Sequence, residues 1–123
     1  MQQLTRYEQT LLEGWEAVYK MGQLSLWLML ALKDGAKHMA QIKQFIAENC
    51  DGVLTADDKS IYRALRRYRK SELVQFNSVA NPTGPDLKMY SLTATGEHVL
   101  NHFLARNIGI LYRPNIRLLI ERG

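Results

Sequence analysis

From Leu24 to Leu32 the chain carries one polar side chain, Ser25, among nine residues. A helix over 22–33 is therefore hydrophobic nearly all round, and such a helix is stable only when covered on most sides. A nine-residue stretch is about half of the ~18 that a bilayer span requires. The cover has to come from the rest of the chain, which makes 22–33 the expected central core helix. Asp34-Gly35 marks its end, with Gly35 expected to supply the left-handed residue that often closes a helix.

The flanking segments carry helical periodicities of their own. Leu4, Tyr7, Leu11, Trp15 and Val18 recur at steps of three or four, the signature of a helix with one apolar face. Met39, Ile42, Phe45 and Ile46 do the same over 37–49. Thr55 with Asp58 three residues later resembles a capping box, and opens a helix expected over about 56–71. Its buried stripe is Ile61, Leu65 and Tyr68. From Leu73 the pattern changes. Residues 73–79 are β-rich and partly alternating, Asn81 to Asp86 is a turn cluster, and 88–92 is a second short strand. The two strands predict a hairpin with a loop of about seven residues. Thr93 can cap a further helix with Val99, Leu100, Phe103, Leu104 and Ile108 on its apolar face. Pro114 interrupts that helix or starts a new one. The tail 108–123 holds eight apolar residues in sixteen and needs a surface to cover, in this chain or in another copy.

Charge is concentrated in one of these elements. The 123 residues carry a net charge of +4, from 16 Lys and Arg against 12 Asp and Glu. Six of the cations, Lys59, Arg63, Arg66, Arg67, Arg69 and Lys70, fall within 59–70 with no anion between them, so the remainder of the chain has a net charge of −2. A localised basic helix is the electrostatic footprint of a nucleic-acid binder. Three helices followed by a two-stranded hairpin is the layout of a winged helix-turn-helix, whose third helix enters the major groove. Here that third helix is the basic one.

The expected fold is thus mainly α with a small β-hairpin, a winged helix-turn-helix with extra terminal helices. One domain is expected over 1–123: an N-terminal helix over 1–20, the winged-helix core over 21–92, and a C-terminal helix and tail over 93–123. The single cysteine, Cys50, rules out an internal disulfide and suits a reducing compartment. With no secretory leader pattern and no bilayer-length apolar run, the expected location is cytoplasmic, at the nucleoid, with no membrane partner.

Other chemistry finds little support in the residues. His98 and His102 lie at i and i+4, a spacing that can bind metal, but two ligands are not a site. His38 reads as a structural hydrogen-bonding residue and Cys50 as an inert small one. No Cys-x-x-Cys, phosphate loop or nucleophile elbow occurs. Asp57-Asp58 suits the N-terminal helix dipole better than a carboxylate pair, since adjacent helical residues do not face each other. No cofactor and no enzymatic activity are expected.

Four stretches resemble the PadR family of bacterial and archaeal transcriptional regulators, over roughly residues 20–104. Gly22-Gln23-Leu24 resembles the family's opening of the apolar helix. Gly35 and His38, within Asp34-Gly35-Ala36-Lys37-His38, resemble its Gly-Pro-x-His-Gly turn. Tyr62 and Leu65, within Ile61 to Tyr68, resemble its Leu-Tyr-Pro-x-Leu-x-x-Leu helix. The most specific element runs from Gly84-Pro85 through Tyr90-Ser91-Leu92-Thr93 to Gly96, and resembles the wing and the Tyr-x-Leu-Thr-x-x-Gly that follows it. Arg63 replaces the family's usual proline, Met39 the second glycine of the turn, and Glu72 a glycine at the helix exit. Leu87 stands where a wing arginine is common, which leaves Lys88 to serve there.

The resemblance implies a homodimer that binds a palindromic operator in double-stranded DNA and represses transcription. On that reading Lys59, Arg63, Arg66, Arg67 and Lys88 neutralise phosphates. Lys59, Ser60, Tyr62 and Arg63 are best placed for base edges. Tyr62 is either outward-facing or a half-buried packing aromatic. Lys70 is a further DNA-contact candidate. It and Arg69 alternatively complement the helix dipole. Leu4, Tyr7, Leu11, Trp15, Leu100, Phe103, Leu104 and Leu111 are the dimer-interface candidates, their alternative role being to finish the monomer core. The resemblance also leaves room for a small-molecule effector in a cavity lined by Trp15 or Phe103. Two other readings compete: a winged-helix module that binds protein and has no operator, and a metal- or redox-gated sensor using His98, His102 or Cys50.

Overall fold

A computed structural model describes residues 2–123. Helix α1 spans Arg6–Tyr19 and passes through a single 3-10 turn, Lys20–Gly22, into α2, Gln23–Asp34. Helices α3, Met39–Cys50, and α4, Asp58–Lys70, follow. Strands β1, Val74–Val79, and β2, Leu87–Leu92, form an antiparallel pair with Val74 opposite Leu92 and Val79 opposite Leu87. The loop between them has the expected seven residues, 80–86. Helix α5, Ala94–Asn107, continues through a 3-10 turn, Gly109–Tyr112, into α6, Pro114–Glu121. Pro114 sits in the first turn of α6, where its missing N–H costs nothing. The fold is mainly helical with one hairpin, as the periodicities indicate.

The all-round apolar helix is central. Leu28, Met29 and Leu32 of α2 are buried in one cluster with Ile42 and Ile46 of α3 and Ile61, Ala64 and Leu65 of α4. Val74, Tyr90 and Leu100 close the same cluster from β1, β2 and α5. Lys33 hydrogen-bonds to Asn101 and ties α2 to α5 at the surface.

Two expectations about helix ends need correction. Helix α4 is capped by Asp57, whose carboxylate accepts the Ser60 N–H at 2.8 Å, and not by Thr55. Leu54 is buried and Ala56 packs against the core. Asp57 itself is extended, with φ −85° and ψ 167°, and the helix starts only after it. Gly35 is not left-handed: its φ of 160° and ψ of 165° are extended. The chain leaves α2 straight into a bridge in which Lys37 and Tyr90 exchange N–H···O bonds of 2.9 Å in both directions. The exit carbonyls of α2 are satisfied differently. The Lys37 ammonium donates to Ala31 O at 2.7 Å and to the Asp34 carboxylate at 2.7 Å, and so caps a negative helix end.

The exit of α4 is the opposite case. Glu72 has a φ of 62°, left-handed although it bears a side chain. Its N–H bonds to Arg69 O at 3.0 Å and the Leu73 N–H to Tyr68 O at 2.9 Å, which is the Schellman pattern. The helix therefore exits through the same turn a glycine would make, with the strain of a Cβ retained.

Candidate nucleic-acid interface

Burial of Ile61, Ala64 and Leu65 sets the orientation of α4. The remaining positions turn outward, and Lys59, Arg63, Arg66, Arg67, Arg69 and Lys70 are all exposed. The ion pairs among the described residues are Lys37–Asp34, Lys43–Asp58 and Arg117–Glu121. None of the six α4 cations is neutralised by a carboxylate at bonding distance, so the face keeps its field. Asp57 lies at the start of this helix. The Ser60 N–H, first, and then nearby Arg63 and Lys59 hold its carboxyl below its ordinary value.

The structure separates the candidates by flank. One side of α4 forms a groove with α3 and the hairpin, lined by His38, Lys43, Asp58, Tyr62, Leu87 and Lys88. Tyr62 is 46% exposed there. Lys43 of α3 joins this rim and is paired with Asp58 at 2.9 Å. The sequence reading did not single it out, because it sits on a helix with no charge cluster. Arg67 lies on the other flank. It lines a cleft of about 420 Å³ with Met21, Leu26, Tyr68, Val99 and Phe103. The structure does not group Arg67 with the wing side of the helix. Ser60 is half-buried, and its N–H is engaged by the cap.

The hairpin meets the end of α4 at one aromatic ring. Phe76 of β1 lies opposite Tyr90 in the ladder, and their rings are tilted at 50° with centroids 5.6 Å apart. The Arg69 guanidinium is 4.2 Å from the Phe76 ring centre and the Lys88 ammonium 5.0 Å from it. Both are within cation–π range. Arg69 therefore has a role beyond complementing the helix dipole. The Tyr90 hydroxyl is pushed up by burial and by neighbouring Tyr62, and drawn down by Arg69.

The family profile described as transcriptional regulator PadR-like matches residues 28–102, more than half of the chain. The chain belongs to the PadR-like family. Solved structures agree. A PadR-like transcription factor from Bacteroides fragilis shares 26% identity at a TM-score of 0.64, over 76% of this chain and 87% of that one. A PadR-like regulator from Bacillus cereus gives 22% and 0.65, over 81% and 94%. Bacillus subtilis PadR, solved in complex with operator DNA, gives 23% and 0.60, over 66% and 46%. Comparison with curated proteins finds no match. The winged-helix fold and a role in DNA-binding transcriptional regulation follow from this membership. PadR-like proteins are regulators, not enzymes.

The PadR-like Tyr-x-Leu-Thr-x-x-Gly element has a physical basis here. Tyr90 is buried and fixes the wing to Lys37. Leu92 packs against the core. The Thr93 hydroxyl accepts the Gly96 N–H at 2.9 Å and donates to Glu72 O at 2.6 Å, so one side chain caps α5 and anchors the exit of α4. Gly96 passes directly beneath the Leu73 carbonyl. His38 caps α3: its Nδ1 accepts the Gln41 N–H at 3.4 Å while the Gln41 side chain accepts the His38 N–H at 3.1 Å. That is the structural role expected for it.

The interface candidates divide. Trp15 is 76% exposed and Tyr7 72%, and Leu4, Leu11, Phe103 and Leu111 are exposed as well. Helices α1 and α6 bury no residue. Leu100, in contrast, is 4% exposed, so it finishes the monomer core, while Leu104 is half-buried and packs against that core. Phe103 borders the cleft beside Arg67, whereas Trp15 is not among its lining residues. Cys50 is buried, and burial first and Asp51 second push its thiol up. That disfavours the thiolate a redox sensor needs. His98 and His102 stack with centroids 4.8 Å apart, and no cluster of three metal-binding side chains exists among the described residues. No helix among them is long and apolar enough to cross a membrane.

Proposed function

We propose that this PadR-like chain is a homodimeric repressor that reads a palindromic operator with α4 in the major groove and the β1–β2 wing on the adjacent backbone. The observation that carries the reading is the face of α4, whose exposed cations have no carboxylate partner among the described residues. Lys59, Arg63 and Arg66, with Lys88 on the wing, supply phosphate neutralisation, and hence most of the affinity and its salt dependence. Arg63 and Tyr62 near the helix start reach base edges. Bacillus subtilis PadR, solved with operator DNA, supports the same use of the fold here.

The dimer rests on the unpartnered apolar face of α1, with Leu4, Tyr7, Leu11 and Trp15 exposed together. A contiguous apolar stripe of this kind marks an association surface. Two copies would set the half-sites about one helical turn apart, ~34–36 Å. The protein then divides into an arm over 1–20, a DNA-reading core over 21–92 and a second dimerisation segment over 93–123, acting in the cytoplasm.

The test is a fluorescence-anisotropy titration against duplex from the protein's own promoter and a scrambled duplex, at two salt concentrations. Tighter binding to the promoter that weakens steeply with salt is expected. Equal, weak binding to both, persisting after genomic selection of duplexes, would instead leave a winged-helix module for protein partners. Sedimentation of the wild type and of Leu11→Glu/Trp15→Glu checks the dimer, with a halved mass expected for the variant.

A further inference from the structure

We propose that Phe76 is a positioning residue that holds Arg69 of α4 and Lys88 of β2 as a paired phosphate grip, so that recognition helix and wing clasp one DNA backbone as a unit. This rests on the α4-and-wing reading above and adds to it a cation, Arg69, and the ring that orients it.

The three residues are distant in sequence and meet only in the fold. Arg69 stands in the last turn of α4, Phe76 in β1, and Lys88 two residues before Tyr90 on β2, the diagonal neighbour across the ladder. The ring contacts Arg69 at 4.2 Å and Lys88 at 5.0 Å. It is held on a fixed frame: Phe76 pairs with Tyr90 in the ladder, and Tyr90 is buried and bonded on its other edge to Lys37.

An aromatic face does what a carboxylate cannot. It restrains a long cationic side chain while leaving its charge and its N–H donors available. No carboxylate lies at ion-pair distance from Arg69 or Lys88 among the described residues. Long basic side chains lose rotamer freedom when they bind, and restraint before binding lowers that cost. The grip also joins the two DNA-facing elements through one ring.

Phe76 also packs against the core, so the experiment has to distinguish gripping from packing. Phe76→Leu keeps apolar volume and removes the π-face, and Phe76→Trp restores it. Each is titrated against a generic B-form duplex over a salt series, because phosphate contacts need no particular sequence. The expected result for Phe76→Leu is binding weakened at least about threefold. The slope of log K against log salt should shallow by about 1, one lost phosphate contact. Phe76→Trp should recover both. In an Arg69→Ala/Lys88→Ala background, Phe76→Leu should add nothing. Unchanged affinity and slope in Phe76→Leu would overturn the proposal, as would an undiminished loss in that background. Arg63→Ala/Arg66→Ala is run alongside. If it loses binding while Phe76→Leu does not, only the grip fails. If it binds like the wild type, the reading of α4 fails and the grip with it.

Discussion

A Cβ placed on Gly96 would lie 1.9 Å from the Leu73 carbonyl oxygen. The first turn of α5 therefore rests directly on the backbone that leaves α4, and only a residue without a side chain fits. Thr93 bonds the same junction through Glu72 O. Helix α4, the hairpin and α5 are locked at this one place.

Gly96→Ala is expected to destabilise the fold by about 3 kcal/mol, since the obstacle is backbone and cannot turn aside. Urea unfolding measures it. Gly14 gives the contrast: nothing lies within 4 Å of a Cβ there, and it sits inside α1. Gly14→Ala should raise stability by up to about 1 kcal/mol. Equal effects of the two substitutions would contradict the close approach at Gly96.

Glu72 occupies a left-handed turn at φ 62°. Glycine has no Cβ to strain in that region, so Glu72→Gly should stabilise by about 1 kcal/mol. A higher Tm with unchanged DNA affinity is the expected pair of readouts. A fall in Tm would show that the left-handed turn carries no strain.

Flank distinguishes the arginines of α4. Arg63→Ala/Arg66→Ala should abolish specific DNA binding while leaving the fold and the dimer intact. Arg67→Ala should cost far less, because Arg67 lines the cleft with Phe103 and Met21. Anisotropy titrations of the two variants make the comparison. An Arg67→Ala loss as large as that of the pair would move the DNA face to the other flank.

Asp57 caps α4, and its carboxyl is held below the ordinary 3.8, first by the Ser60 N–H. A lowered folded-state value means that the charged cap stabilises above the ordinary value, and that this contribution is lost as pH falls through the folded one. Asp57→Asn keeps an acceptor and removes the charge. Thermal melts should place it below the wild type at pH 7, with the gap closing below about pH 4. A gap constant across that range would show that the cap's charge contributes nothing.

Much of the fold was legible because its signals are local. The all-round apolar 22–33 had to be central, the Ile61/Leu65 spacing had to bury one stripe of α4, and Asn81 to Asp86 had to turn. The Thr93 cap was legible in the same way. Thr55 misled because a capping box can be read three residues apart in sequence, whereas the capping hydrogen bond comes from Asp57, two residues further on, after Leu54 has been buried. Gly35 misled because its exit is settled by Tyr90, over fifty residues away. Leu100 and Leu104 shared an apolar face with Phe103, and periodicity alone does not say which part of a face meets its own core.

The sequence by itself determined the order of elements, the buried stripes of α3 and α4 and the concentration of cations on α4. Periodicity and charge are properties of neighbouring residues, and they survive without the rest of the chain. The tertiary structure alone decided that Arg67 lines the cleft beside Phe103, that Arg69 and Lys88 share the Phe76 ring, and that Gly96 lies under Leu73. Those depend on where side chains of distant segments are brought together by packing, and no spacing along the chain encodes that meeting point.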